Sequence, residues 1–192
     1  MKSIFCTLTV LWALSPGITQ AEVAQAGNYK LDPAHTNIQF SVSHLGFSNL
    51  IGRFNKMSGK MTLNKSGKSS VEVVINANSI DSNHKKRDAH LRGPDFFNVK
   101  QFPEIKFVSD KVKLNKKGEP TSISGKFSMH GKTRNVVLDV SAVGAGKDPW
   151  GGYRAGYVAT TTIKRADYGM NYMPGGIGAD VKITLDVEFI KQ

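Results

Sequence analysis

The chain has 192 residues, with 26 lysines and arginines against 15 aspartates and glutamates, a formal charge of +11 and a single cysteine, Cys6. That length supports one domain around one hydrophobic core. With Cys6 near the start in an apolar leader, the rest of the chain excludes disulfides, cysteine nucleophiles and thiolate metal sites.

The lysines are scattered rather than blocked. Such a surface favours anionic partners without marking a site.

Lys2, the apolar run of residues 4–14 and the breakers Ser15, Pro16 and Gly17 form a secretory signal-peptide pattern. The run is far shorter than the ~20 apolar residues a membrane helix needs. The expected division is a leader at 1–21, cleaved after Ala21 with Ala26 as the alternative, and one domain at 22–192. Export implies a periplasmic protein held by its core rather than by covalent staples.

Beyond the leader, apolar residues alternate with period two, the signature of half-buried strands. Ile38, Phe40, Val42 and His44 share one face; the segment from Phe54 to Leu63 follows, then Val71, Val73, Ile75 and Ala77. The alternation returns at Ile105 and Phe107, at Ile123, Gly125, Phe127 and Met129, and at Val136, Leu138, Val140 and Ala142. It closes with Ala155, Tyr157, Ala159, Thr161 and Ile163, then Val181, Ile183, Leu185, Val187 and Phe189.

Asn- and Gly-bearing links at residues 64–68, 115–120 and 130–133 read as hairpin connections, so the sheet is antiparallel. About eight such strands close most economically into an all-β, eight-stranded up-and-down barrel without free edges. A two-sheet sandwich competes with it on pattern alone.

One stretch departs from strand period. "SIDSNHKKRDAHLRG" offers Asp81 or Ser82 as a helix cap, a face of His84, Asp88 and Leu91, Asp88 four residues before Arg92, and Gly93 with Pro94 as the stop. It predicts a short helical insertion between strands, followed by a turn capped by Asp95 and carrying Phe96 and Phe97. Two glycine-rich loops, at 144–152 and 167–178, display Trp150 and Tyr168, Met170, Tyr172 and Met173. Such side chains suit contact with an apolar ligand or a membrane, or simply plug a barrel end.

Signatures of catalysis are missing: no nucleophile elbow, no paired-histidine zinc helix and no phosphate loop. His35, His44, His84, His90 and His130 are dispersed, so neither a metal site nor a cofactor is expected. His44 extends an apolar face, as a rim residue or as a polar anchor for a ligand head. Nucleic acid is not an expected partner, because the phenylalanines sit on core faces instead of alternating with bases on an open sheet.

"LDPAHTNIQFSVSHLGFSNLIGRF", "RDAHL", "DFF", "FPEIKF", "MHGKTR" and "DPWGGYRAGYVATTTIKRADYGM" together resemble the YceI family of periplasmic polyisoprenoid-binding proteins, from about Tyr29 to the C-terminus. The resemblance implies a lipocalin-like barrel whose apolar cavity holds an isoprenoid lipid, quinone-like or prenyl-phosphate-like, without enzymatic turnover. The chain departs from the family's pattern in "HTN" and "SIDSN", which bears on transfer of head-group contacts.

On that reading the ligand wall comprises Ile38, Phe40, Val42, His44, Phe54, Val73, Ile75, Phe107, Phe127, Met129 and Tyr157. Its entrance comprises Arg87, Arg92, Phe96, Phe97 and Trp150, with Arg53 behind. Partners would be the lipid and, transiently, a membrane surface, with homodimerisation left open.

Overall fold

The computed structural model describes residues 22–192, so the expected leader lies outside the described residues. β1 (Gly27–Leu31) and β2 (Asn37–His44) are two halves of one arm, broken at residues 32–36 where Pro33 cannot donate to a ladder. β3 (Ser48–Phe54) and β4 (Met57–Leu63) are the returning halves: Ile38 faces Phe54, and Lys30 faces Lys60.

β5 (Ser70–Asn76), β7 (Glu104–Leu114), β8 (Pro120–Met129), β9 (Lys132–Lys147), β10 (Tyr153–Lys164) and β11 (Ile177–Lys191) continue the antiparallel ladder; the short β6 (Ile80–Asp81) pairs with β3. β11 closes the ring by pairing with β2 along its first part and with β1 at its end. The result is a closed eight-stranded antiparallel barrel in which two arms are each split in two.

Turn chemistry accounts for the hairpins. His130 and Gly131 both adopt left-handed backbone between Met129 and Lys132, the primed turn whose twist matches the strands. Asn115 accepts from the amides of Lys117 and Glu119 through Oδ1, and Gly118 supplies positive φ.

Strand lengths differ from the sequence expectation at one loop. β9 runs through Gly144 to Lys147, with Gly144 and Gly146 paired to Gly156 and Arg154; a bulge at Val143, opposite Gly156 and Tyr157, interrupts the ladder where a loop was expected to begin.

At one end the barrel is sealed. Tyr29, Leu31 and Leu63 are almost wholly buried there, and the Tyr29 hydroxyl donates to the Gln25 carbonyl at 2.7 Å. Burial pushes the Tyr29 phenol up to about 12. Just outside, Arg154 ties the split first arm to the last strand. It donates to Asp32 at 2.6 Å, to Asp148 at 2.8 Å and to Glu188.

The opposite end carries the insertion, residues 77–103. A 3-10 turn (Ala77–Ser79) leads through β6 to α1 (Lys85–Leu91). The helix cap is His84, whose Nδ1 accepts from the Arg87 amide at 3.2 Å, rather than Asp81 or Ser82. Asp88 turns inward and accepts from the Ser82 amide at 2.8 Å, so it makes no pair with Arg92. Asp95 pairs with His90 at 2.8 Å and does not cap a turn.

Candidate functional site

The inward faces of all eight arms enclose a cavity of about 650 Å³. Its wall runs along β11 from Ile177 to Phe189, which at ~3.3 Å rise per residue and a tilt near ~40° spans about 30 Å of barrel axis. The volume lies within the ~300–1,000 Å³ of ordinary small-ligand sites, but the shape is that of a channel.

The wall is the alternating set predicted from sequence. Ile38, Phe40, Val42 and Phe54 line the β2–β3 side; Val73, Ile75 and Phe107 line β5 and β7; Phe127, Met129 and Tyr157 complete it. Two glycines, Gly52 and Gly125, make room for the rings. A Cβ on Gly52 would stand 2.3 Å from the tip of Phe40, and one on Gly125 would stand 2.3 Å from the Val108 carbonyl and 2.8 Å from the tip of Phe107.

The floor ends on Tyr157, which stacks edge-on against Phe189. Its hydroxyl has no hydrogen-bond partner among the described residues, and burial drives its pKa well above the ordinary phenol value.

At the other end the wall becomes a mouth. Phe97 sits 5.5 Å from Phe54 and 6.4 Å from Phe40, ring centre to ring centre, so it belongs to the upper wall. Phe96 is buried beside it, also lines the cavity, and meets His90 at 5.0 Å and Tyr172 at 5.2 Å, while His90 also touches Tyr172 at 5.0 Å. This aromatic triad clasps the insertion to the β10–β11 loop across the mouth. His44 is exposed on the rim, at the end of β2. His130 donates from Nδ1 to the Tyr168 carbonyl at 2.8 Å and stacks on Phe102, which braces the far side.

Charge gathers at the same end. Arg87 lines the cavity and donates through Nε to Ser82 Oγ at 2.8 Å; no carboxylate among the described residues reaches it. Arg165, which sequence reading missed, is buried in the mouth. It donates to the carbonyls of Gly178 (2.9 Å), Met170 (2.7 Å) and Ile177 (3.1 Å), again with no carboxylate in reach. Only its place at the end of a strand, before a glycine-rich loop, could have drawn notice.

Two expected entrance residues lie elsewhere. Arg92 is outside the lining and donates to the carbonyls of Asn78 and Ile80, where it staples the insertion. Trp150 stands at the sealed end against Arg154. Arg53 lies behind the mouth, paired with Asp81 at 3.2 Å. Asp32, His35 and Glu188 at the sealed end could converge on a cation, but Arg154 already donates to both carboxylates.

A closed barrel around one long apolar channel, open at a clasped and basic mouth, defines a lipocalin-like cavity barrel. Within that class the chain belongs to the YceI family, since the YceI-like domain profile matches residues 29–189. A UPF0312 protein of Shewanella denitrificans is 47% identical over 171 residues, covering 87% of this chain and 89% of the relative. Another, from Pseudomonas aeruginosa, is 41% identical over 190 residues, covering 97% and 98%.

Among solved structures the fold is similar to BcnA of Burkholderia cenocepacia, with TM-score 0.72 at 19% identity, covering 82% of this chain and 98% of that one. A polyisoprenoid binding domain from Saccharophagus degradans, implicated in plant cell wall breakdown, gives TM-score 0.66 at 14% identity, covering 88% and 100%. At those identities the likeness is one of fold.

Proposed function

We propose that this protein is a non-enzymatic carrier of an isoprenoid lipid, with the chain in the channel and the polar head at the mouth. The observation that carries this reading is the shape of the cavity: about 650 Å³ drawn out along the barrel, lined by apolar side chains on every arm, with its charged side chains at the mouth. A fold shared with a polyisoprenoid-binding domain supports the ligand class.

Burying a methylene is worth ~0.8 kcal/mol, so a long chain gains as much in the channel as in a bilayer. Exchange between the two is then nearly balanced, which suits a carrier and not a sink. Turnover has no support in the lining, where no serine or threonine hydroxyl is hydrogen-bonded to a histidine among the described residues.

Arg87 and Arg165, cations without carboxylate partners, favour a prenyl-phosphate-like head over a neutral quinone-like one. The apolar run of 4–14 supports export to the periplasm with residues 1–21 removed.

Native mass spectrometry of protein purified without added lipid tests the reading. A bound mass with an isoprenoid fragmentation series is expected. Protein that is uniformly ligand-free, and that takes up neither a polyprenyl phosphate nor a long-chain quinone from detergent micelles, refutes it.

A further inference from the structure

The mouth carries apolar side chains that the fold leaves in solvent. Phe47, 87% exposed, and Leu45, 44% exposed, form the tip of the β2–β3 hairpin; Met173, 41% exposed, is the tip of the β10–β11 loop. The two tips form one surface, because the Leu45 amide donates to the Gly176 carbonyl at 2.7 Å. Leu45 and Met173 both hold left-handed backbone, with φ of 54° and 50°, a region that non-glycine residues rarely occupy. Apolar residues are kept at two positions where glycine would relieve the backbone.

We propose that this surface docks on the face of an anionic phospholipid bilayer, with the cavity mouth against the lipid. The proposal rests on the lipid-carrier reading, whose cargo must leave and re-enter a membrane.

Three observations select this partner. First, Met173 both lines the cavity and stands in solvent, so one apolar side chain is shared by the exposed tip and the channel. Second, α1 borders the mouth through Arg87 and His90 and presents Lys85 and Lys86 to solvent, with no carboxylate of the described residues bridged to either. Basic side chains beside inserted apolar ones are what an anionic lipid surface recognises. Of the carboxylates on the insertion and the β10–β11 segment, Asp81 is paired with Arg53, Asp88 is held by Ser82, Asp95 by His90 and Asp180 by Lys164, while Asp167 is exposed.

Third, the apolar surface is two hairpin tips, not a broad face. A stable protein interface needs roughly 800 Å² from each partner, whereas tips of this kind need only reach the headgroup boundary, ~5–10 Å deep.

Flotation with vesicles of phosphatidylethanolamine and phosphatidylglycerol tests it, with phosphatidylcholine vesicles as the neutral counterpart. The wild-type protein is expected to float with the anionic vesicles, less so in high salt. Phe47→Ser with Met173→Ser should weaken binding about tenfold, as expected for losing two partly inserted apolar side chains. Lys85→Glu with Lys86→Glu should abolish the preference for anionic vesicles. Trp150→Ser, at the sealed end, should change nothing, and circular dichroism confirms that each variant is folded.

Uptake of a long-chain quinone from detergent micelles reads the cavity separately. Normal uptake in the wild type, together with vesicle binding that is absent or that Trp150→Ser reduces more than the tip changes, overturns the docking proposal while leaving the carrier reading intact. Uptake by the wild type of neither a long-chain quinone nor a polyprenyl phosphate removes the carrier reading and the proposal with it.

Discussion

Gly52 shows how a single residue shapes the channel. In a strand, a glycine marks a bulge or a close approach, and here the approach is the Phe40 ring, itself packed against Phe54 and Phe97. Gly52→Ala is expected to lower stability by about 1–3 kcal/mol through overpacking. It should also tilt Phe40 into the channel and shorten the lipid chain retained; thermal melting and the mass of co-purified lipid measure both. The alternation did not single out Gly52, because the ring it makes room for is carried by the neighbouring strand.

Asp32 makes a second case at this scale. His35 Nδ1 at 2.8 Å and then Arg154 at 2.6 Å hold its carboxyl down to about 2, below the ordinary 3.8. A carboxylate whose folded pKa is depressed stabilises the fold above its unfolded pKa and loses that contribution as pH falls through the folded value. Asp32→Asn should therefore cost about 1–2 kcal/mol at neutral pH. The difference from wild type should shrink between about pH 4 and pH 2, and urea melts across that range measure it. In the sequence "DPAHT" appeared only as part of the family resemblance; the partner Arg154 lies 122 residues away.

At the scale of elements, the insertion and the β10–β11 loop work as a clasp. A helix between strands was readable from its break in period, but its cap and its ion pairs were not. Local pattern favoured Asp81 or Ser82 as cap and an Asp88 pair with Arg92, whereas tertiary packing turned Asp88 onto Ser82 and Arg92 onto carbonyls.

Phe96 and Phe97, read together as an entrance, divide. Both line the cavity, but Phe96 latches to His90 and Tyr172 while Phe97 packs on Phe40 and Phe54. Phe96→Ala is expected to speed lipid exchange with vesicles severalfold in a folded protein, since releasing a clasp costs far less than opening the sheet. Phe97→Ala is expected instead to lower stability by about 2–3 kcal/mol, as truncation of a packed ring does. Equal exchange rates in Phe96→Ala and wild type would count against the clasp.

Across the whole molecule, the charge pattern sets a test of the head group. Exposed charge contacts are screened over ~8–10 Å near physiological ionic strength, so affinity for a polyprenyl phosphate should fall as salt rises, and fall less steeply in Arg87→Gln. Affinity for a long-chain quinone should stay flat. A flat salt titration for both ligands would remove Arg87 from the head-group site.

The period-two recurrence of apolar residues and the turn chemistry determined by themselves an antiparallel all-β domain with an apolar inner face, and the absence of thiols after Cys6 determined that no disulfide holds it. Period two is a property of neighbouring residues and survives in any sheet. Whether that sheet closes was a tertiary matter, decided where β11 meets both β1 and β2 and leaves no edge.

Tertiary structure alone also decided which end is open. Trp150 and Tyr172 sit in similar glycine-rich loops, yet one faces the sealed floor and the other the mouth. That difference depends on strand parity and on Tyr29, Leu31 and Leu63 filling one end of the barrel, contacts made between residues far apart in the chain.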